Sequence, residues 1–388
     1  MKTKPFAMSP VIFIMGLVSL FTDLSGQMIV PILPLYLTTV LHVQMGTLGV
    51  IEGIAESTAS LLKLFSGWMT DRIGKRKLLM VIGYGLSNLV KPFFALSASW
   101  GQVLVIRFAD RFGKGIRVSP RDALLADLTT KEERGKAFGF RRAMDALGAA
   151  LGPLCAFGIL AIYEGNYRLV FLASIIPGAI AILLLIFFLK EKSDSQPHKP
   201  RELPKIRFKQ MDRKFIWFSL IITLFTLGNF SDAFLALRAQ DVGMQISLIP
   251  LAFFTFNLIS SLFSMPVGAL SDRIGRRPIL ITGLFIFAFI YFGFGFANHV
   301  AWIWVLFILY GFYYAFTEGI QKAYIADIVP EGQRGTAMGT FNALTGLAAL
   351  PASVMAGFLW QAFGPAVAFG ASGVIALVCA LLLILIRI

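Results

Sequence analysis

Repeated apolar runs of membrane-crossing length constrain this chain more than any other feature. Residues 169–189 and 366–386 contain no charged side chain. A helix needs about 20 apolar residues to cross the hydrocarbon core of a bilayer. Lipid offers the backbone no hydrogen-bond partners, so such runs satisfy their N–H and C=O groups internally, as helices. The composition agrees: 57% of the 388 residues are hydrophobic, 14% are charged, and mean hydropathy is +0.76. A soluble domain requires more polar surface than that.

Twelve spans are expected, at 11–40, 46–69, 78–98, 101–125, 137–162, 167–190, 215–239, 246–270, 278–297, 300–326, 336–360 and 365–387. Lys2 and Lys4 precede the first run, which continues past Asp23, Pro31 and Pro34 to about Val40. That is longer than a signal peptide, and a retained first helix is expected. Lysine and arginine gather in every second gap. Arg72, Lys75, Arg76 and Lys77 follow the second span, and Lys131, Arg134 and Lys136 follow the fourth. Arg273, Arg276 and Arg277 follow the eighth, and the central loop is basic from Lys192 to Lys214. The gaps near His42, Trp100, Asn298 and Gly364 contain neither residue. Cytoplasmic loops carry such an excess, so both termini are expected in the cytoplasm. The net charge of +14 is therefore read as topology, and no nucleic-acid partner is expected. The expected architecture is an all-α membrane protein with two pseudo-symmetric six-helix bundles. They would occupy 1–190 and 215–388, joined by a cytoplasmic linker at 191–214 that contains Pro197, Pro200 and Pro204.

The halves repeat one another. Gly67-Trp-Met-Thr-Asp71-Arg72-Ile-Gly74-Lys75-Arg76 recurs as Gly268-Ala-Leu-Ser-Asp272-Arg273-Ile-Gly275-Arg276-Arg277. Asp127 precedes Arg134-Gly135, and Asp327 precedes Arg334-Gly335, at the same spacing. Two motifs recurring at a similar offset point to duplication of a six-helix unit. The loop GxxxDRxGRR resembles the hallmark loop between helices 2 and 3 of the major facilitator superfamily. Arg107 matches the arginine of that superfamily's helix 4 motif, with Gly113 and Gly115 at its glycines. Gly148-Ala-Ala-Leu-Gly152-Pro153 resembles the helix 5 motif of its proton-coupled drug exporters, although Ala156 and Phe157 stand where that motif prefers glycines. The resemblance implies a secondary transporter working by alternating access. It also implies a conformational latch at Gly67, Asp71 and Arg72, repeated at Gly268, Asp272 and Arg273.

Charge inside the spans points to candidate sites, because a charge at mid-bilayer costs about 2.5–3.5 kcal/mol even on insertion scales. Asp23 and Gln27 stand four apart on the first span, and Glu52 and Glu56 four apart on the second. The fourth span carries Arg107, Asp110, Arg111, Lys114, Arg117, Arg121 and Asp122. Asn229 and Asp232 lie on the seventh span, Asn257 on the eighth, and Glu318 with Lys322 on the tenth. Asp23, Glu52, Glu56, Asp110, Asp232 and Glu318 are the candidates for proton coupling. Gln27, Arg107, Arg111, Lys114, Asn229 and Asn257 are the candidates for substrate contact. Arg117 to Asp122 are read as structural partners of the adjoining loop. Lys91, on a peripheral span beside Pro92, is expected to pack or to snorkel. Phe253, Phe254 and Phe256 either line an apolar wall or pack.

Other chemistries find little support. Cys155 and Cys379 are isolated, and His42, His198 and His299 fall in expected loops, so neither a metal centre nor an enzyme's active site is expected. No GxxxxGK[ST] loop is present, so a proton gradient, and no other cofactor, would supply the energy. The expected function is proton-coupled export of a small organic solute. The alternative is proton-coupled uptake of an anionic or metal-chelating metabolite such as a siderophore. A monomer is expected, embedded in the lipid bilayer of the cell membrane, in the manner of a bacterial inner-membrane protein.

Overall fold

The computed structural model describes residues 10–73, 76–127, 129, 134–189, 212–330 and 333–386. Among these, all regular structure is helical. In the first part of the chain lie α1 (Pro10–Ile29), α2 (Leu33–Thr39), α3 (Met45–Ile73), α4 (Arg76–Val90), α5 (Trp100–Asp127), α6 (Arg134–Ile162), α7 (Tyr167–Ala173) and α8 (Ile175–Leu183). The second part contains α9 (Arg213–Gly228), α10 (Ala233–Asp241), α11 (Ile249–Ile274), α12 (Arg276–Phe296), α13 (Val300–Ile328), α14 (Arg334–Phe363) and α15 (Pro365–Leu385). Among the described residues, ten helical stretches are long and apolar enough to cross a membrane. α3 and α5, with 29 and 28 residues, match them in length but carry more charge. Large apolar side chains such as Met265 (85% exposed), Phe187 (69%) and Phe289 (67%) point outward. Lipid accommodates such a surface, whereas water does not.

Several expected spans are interrupted. The first breaks at residues 30–32, between α1 and α2. Pro31 has no N–H to donate and disfavours the helical region for Val30. The seventh breaks after Gly228, and residues 229–232 are not helical before α10 begins. The third changes at Lys91 from α4 into a 3₁₀ turn, Lys91–Leu96, that contains Pro92. The expected linker lies outside the described residues except for 212–214.

By contact density the chain forms two compact units. One comprises Met1–Val30 and Leu62–Leu203, the other Pro31–Leu61 and Pro204–Ile388. α3 therefore contributes to both, changing over at Leu61 and Leu62.

In the first unit α1 packs on α6 and α8, and α4 packs on α5. The α1–α6 contact is close because Gly148 and Gly152 face α1. A Cβ on Gly148 would collide with the Leu20 carbonyl, and one on Gly152 would stand 2.7 Å from Leu24 O and from Gln27 Cβ. The exporter-like motif thus has a packing role, since small residues let helices approach in lipid. Ile12, Met15, Val18, Tyr84, Leu125 and Leu185 belong to the core of this unit.

In the second unit α11 and α12 pack on α13, α12 and α9 pack on α15, and α9 also packs on α14. Its core is aromatic, with Phe287 stacked on Tyr291 at 3.8 Å and Phe230 packed on Phe234, Tyr291 and Phe369 at 5.1 Å each. The part of α3 counted with this unit meets α14 at small residues, and Ser57 Oγ donates to Gly346 O at 2.7 Å. At one end, Arg276 joins the two repeated motifs. It pairs with Asp272 and Asp327 at 2.8 Å each and donates to Ser271 Oγ at 2.8 Å.

Candidate functional site

The second unit places Asp232 at the break between α9 and α10, immediately ahead of the α10 N-terminus. Unpaired N–H groups and the helix dipole make that end favourable for negative charge. Tyr310 donates its hydroxyl to Asp232 Oδ1 at 2.6 Å, and Tyr314 to Oδ2 at 3.5 Å. Both tyrosines come from α13, where positions 310, 313 and 314 share one helical face. Tyr313 OH accepts from Asn229 Nδ2 at 3.3 Å. Phe256 of α11 closes against Tyr310 and Tyr314, with ring centroids 5.1 and 4.9 Å away. Its neighbour Phe253 packs on Phe307.

Two further carboxylates belong to this cluster. Glu52, 1% exposed, accepts from Ser231 Oγ at 3.0 Å. Glu52 and Glu56 both lie within electrostatic range of Asp232. Three of the six coupling candidates are therefore brought together with Asn229. Asn257 stands apart and donates to Phe253 O of its own helix at 3.0 Å. Glu318 lies 3.6 Å from Lys322, with both side chains about half exposed, and is within electrostatic range of Tyr313 and Tyr314.

The first unit holds a second polar cluster. Lys91 donates to Asn88 Oδ1 at 2.8 Å and to Ser25 Oγ at 3.2 Å. Ser25 Oγ in turn donates to Ser174 O at 2.8 Å, and Asn88 donates to Thr22 Oγ1 at 3.4 Å. Asp110 accepts from Ser87 Oγ at 2.6 Å and has Lys91, Arg111 and Arg107 within electrostatic range. Lys91, Arg107, Asp110 and Arg111 are all buried. Of packing and snorkelling, the two outcomes expected of Lys91, the structure has packing: at 3% exposure it reaches inward, because Asn88, Ser25 and Asp110 meet its charge there. Lys114 and Asp23 lie within range of Lys91. Asp23 and Gln27 face the two motif glycines of α6, Gly148 and Gly152.

Lower on α5, Arg121 pairs with Asp122 at 2.9 Å, while Arg117 stacks over Tyr84. Of the expected latches, Gly67, Asp71 and Arg72 lie outside the residues whose side chains are described. In the second copy, Asp272 is engaged by Arg276 rather than by its neighbour Arg273, which is exposed. Among the described residues no group of three or more His, Cys, Asp or Glu could hold a metal ion.

Sequence reasoning missed Ser231 and the tyrosines, and it did not join Lys91 to Asn88, Ser25 and Asp110. The spacing of Tyr310, Tyr313 and Tyr314 is the available signal, since it puts the three on one helical face.

Comparison with known proteins assigns this architecture. The family model described as Major Facilitator Superfamily matches residues 15–238 and 216–388. The chain belongs to the major facilitator superfamily. An uncharacterized MFS-type transporter of Methanocaldococcus jannaschii is 34% identical over 381 residues, covering 97% of this chain and 94% of the relative. A probable 4-methylmuconolactone transporter of Cupriavidus pinatubonensis is 27% identical over 247 residues, 59% of this chain and 56% of that protein. The crystal structure of a point mutant of the nucleoside transporter NupG superposes with a TM-score of 0.82 at 13% identity, over 97% of this chain and 100% of that one. This member of the superfamily is thus a multi-pass membrane transporter and not an enzyme.

Proposed function

We propose that this chain exports a small organic solute in exchange for protons by alternating access. In this reading α3 and α5 also cross the bilayer, giving twelve spans in two six-helix bundles with both termini cytoplasmic. The observation that carries the proposal is the Asp232 cluster. A carboxylate at a helix break, held by two tyrosine hydroxyls beside Glu52 and Glu56, is a group that can take up and release a proton as its access to water changes. Interrupted helices are where transporters of this kind place substrate and coupling ions. The Gly148–Pro153 motif favours export. The relative associated with 4-methylmuconolactone supports a small organic solute.

The second reading, proton-coupled uptake of an anionic or metal-chelating metabolite, is favoured by the buried cations of α5. Both readings place the protein in a cell membrane as a monomer.

The test has two steps. Metabolite profiles and drug tolerance of cells with and without the protein identify the solute. Its flux is then followed in proteoliposomes under an imposed pH gradient. Export coupled to protons predicts accumulation driven by the gradient and abolished by Asp232→Asn. Flux indifferent to the gradient sinks the coupling. Normal coupled flux in Asp23→Asn, Glu56→Gln and Asp232→Asn removes those carboxylates from the mechanism.

A further inference from the structure

Arg117 has no acidic partner among the described residues, unlike the half-buried Arg121 and Arg141 of the same unit. Arg121 and Arg141 pair with Asp122 and Asp145 at 2.9 and 2.5 Å. Arg117 is 5% exposed, yet its Nε and Nη1 are buried with no hydrogen-bond partner among the described residues. Its guanidinium lies over the buried ring of Tyr84, 4.4 Å from the centroid. A ring covers one face of the guanidinium plane and leaves the N–H edge available. The position is built into a tight helix contact. A Cβ on Gly83 would stand 2.8 Å from Arg117 Cβ and from Gly113 O, so α4 and α5 hold the arginine between them. The surroundings are cationic, because Lys91 has Arg117 and Lys114 in range, and the acids facing it are Asp110 and Asp23. Buried charged donors left unfilled are costly, and in native proteins each calls for an explanation such as a ligand.

We propose that Arg117, backed by Tyr84, is a subsite for the carboxylate of the transported solute. This rests on the transporter reading above and gives the solute an anionic group. A planar carboxylate matches the guanidinium fork in its own plane, the edge that the Tyr84 ring does not cover, and reaches it when the buried site opens during transport.

The experiment uses the full chain, purified in detergent, and reads the midpoint of thermal unfolding against added benzoate, benzamide, inorganic phosphate or chloride. Benzoate should raise the midpoint saturably, and its neutral amide should not. Arg117→Gln should raise the half-saturating benzoate concentration by about tenfold or more, the loss expected for hydrogen bonds to a charged group. Arg117→Lys keeps the charge and stem but loses the fork, so it should also weaken binding, and it carries the test where the glutamine variant does not fold. Arg168→Gln, on an exposed helix start, should bind as the parent does.

Unchanged half-saturation in both Arg117 variants overturns the assignment, as does the lack of a saturable effect with any anion. Phosphate or chloride acting at the same or lower concentration overturns the carboxylate. Proton-driven solute flux in proteoliposomes is read separately. If it persists without benzoate binding, the subsite fails and the transporter reading stands. If benzoate binds at Arg117 and flux ignores the gradient, the coupling fails alone.

Discussion

Lys91, expected either to pack or to snorkel, is packed inside its unit. A lysine near the end of an apolar span usually extends its stem toward the headgroups. Here the stem turns inward, because Asn88 on the previous turn and Ser25 on α1 supply acceptors, and Asp110 on α5 supplies a counter-charge. None of those contacts is visible in the local sequence, since Ser25, Lys91 and Asp110 come from three different helices. The arrangement makes a prediction about stability. Removing one member of a buried charge pair costs about 3–5 kcal/mol, whereas replacing both members with apolar groups is often neutral. Lys91→Met should therefore lower the unfolding midpoint sharply, and its combination with Asp110→Leu should cost less than the two single losses together, without full recovery because Asp110 also faces Arg107 and Arg111. The check is a double-mutant cycle in detergent-solubilised protein. Additive losses in the double variant would mean that Lys91 and Asp110 do not stabilise one another.

At the scale of elements, apolar run length made the helices legible, and proline made some of their interruptions legible. Pro31 and Pro92 stand at or beside a break in α1–α2 and a change of helix type after α4. The break between α9 and α10 was not legible, because Gly228 alone does not end a helix in an apolar span. What opens the chain there is tertiary: Asn229 bonds to Tyr313, and the Ser231 N–H to Ser353 Oγ at 3.3 Å, both far away in sequence. The same limit applied to the tyrosines, whose spacing fixed a shared face but not the carboxylate they would meet. Glycine spacing, by contrast, was read through family resemblance and has a direct physical content. Gly148→Ala should push α6 off α1 and cost about 1–3 kcal/mol, the usual penalty for overpacking. Gly158→Ala, ten residues further along α6 with open space around it, should be neutral or slightly stabilising, as alanine is the better helix former. Thermal unfolding of both variants decides this. Equal effects would mean that the α1–α6 approach does not depend on Gly148.

At the scale of the whole molecule, the number of helices that cross the bilayer fixes the topology. Among the described residues ten helical stretches qualify on length and hydropathy, and α3 and α5 do not because of their charges. Those charges lie largely inside the protein, with Glu52, Arg107, Asp110, Arg111 and Arg117 all buried, so mean hydropathy understates how readily the two helices cross. A hydropathy window counts a buried, compensated charge as though it faced lipid. Twelve spans and ten spans make different predictions at one loop. If α3 crosses, α4 runs outward and Ser99, exposed in the turn ahead of α5, faces the outside. If α3 and α5 do not cross, α4 runs inward and Ser99 faces the cytoplasm, while every loop after α6 keeps its side. With Cys155 and Cys379 replaced by serine, single substitutions Ser99→Cys, Glu164→Cys and Gln245→Cys should all react with a membrane-impermeant maleimide in intact cells. Asp212→Cys and Gln333→Cys should react only after permeabilisation, as the basic loops place them inside. Labelling of Glu164→Cys and Gln245→Cys but not Ser99→Cys in intact cells would reduce the count to ten. Inversion of all five would leave the count at twelve and reverse the orientation, and the direction of proton-driven flux would have to be reassigned with it.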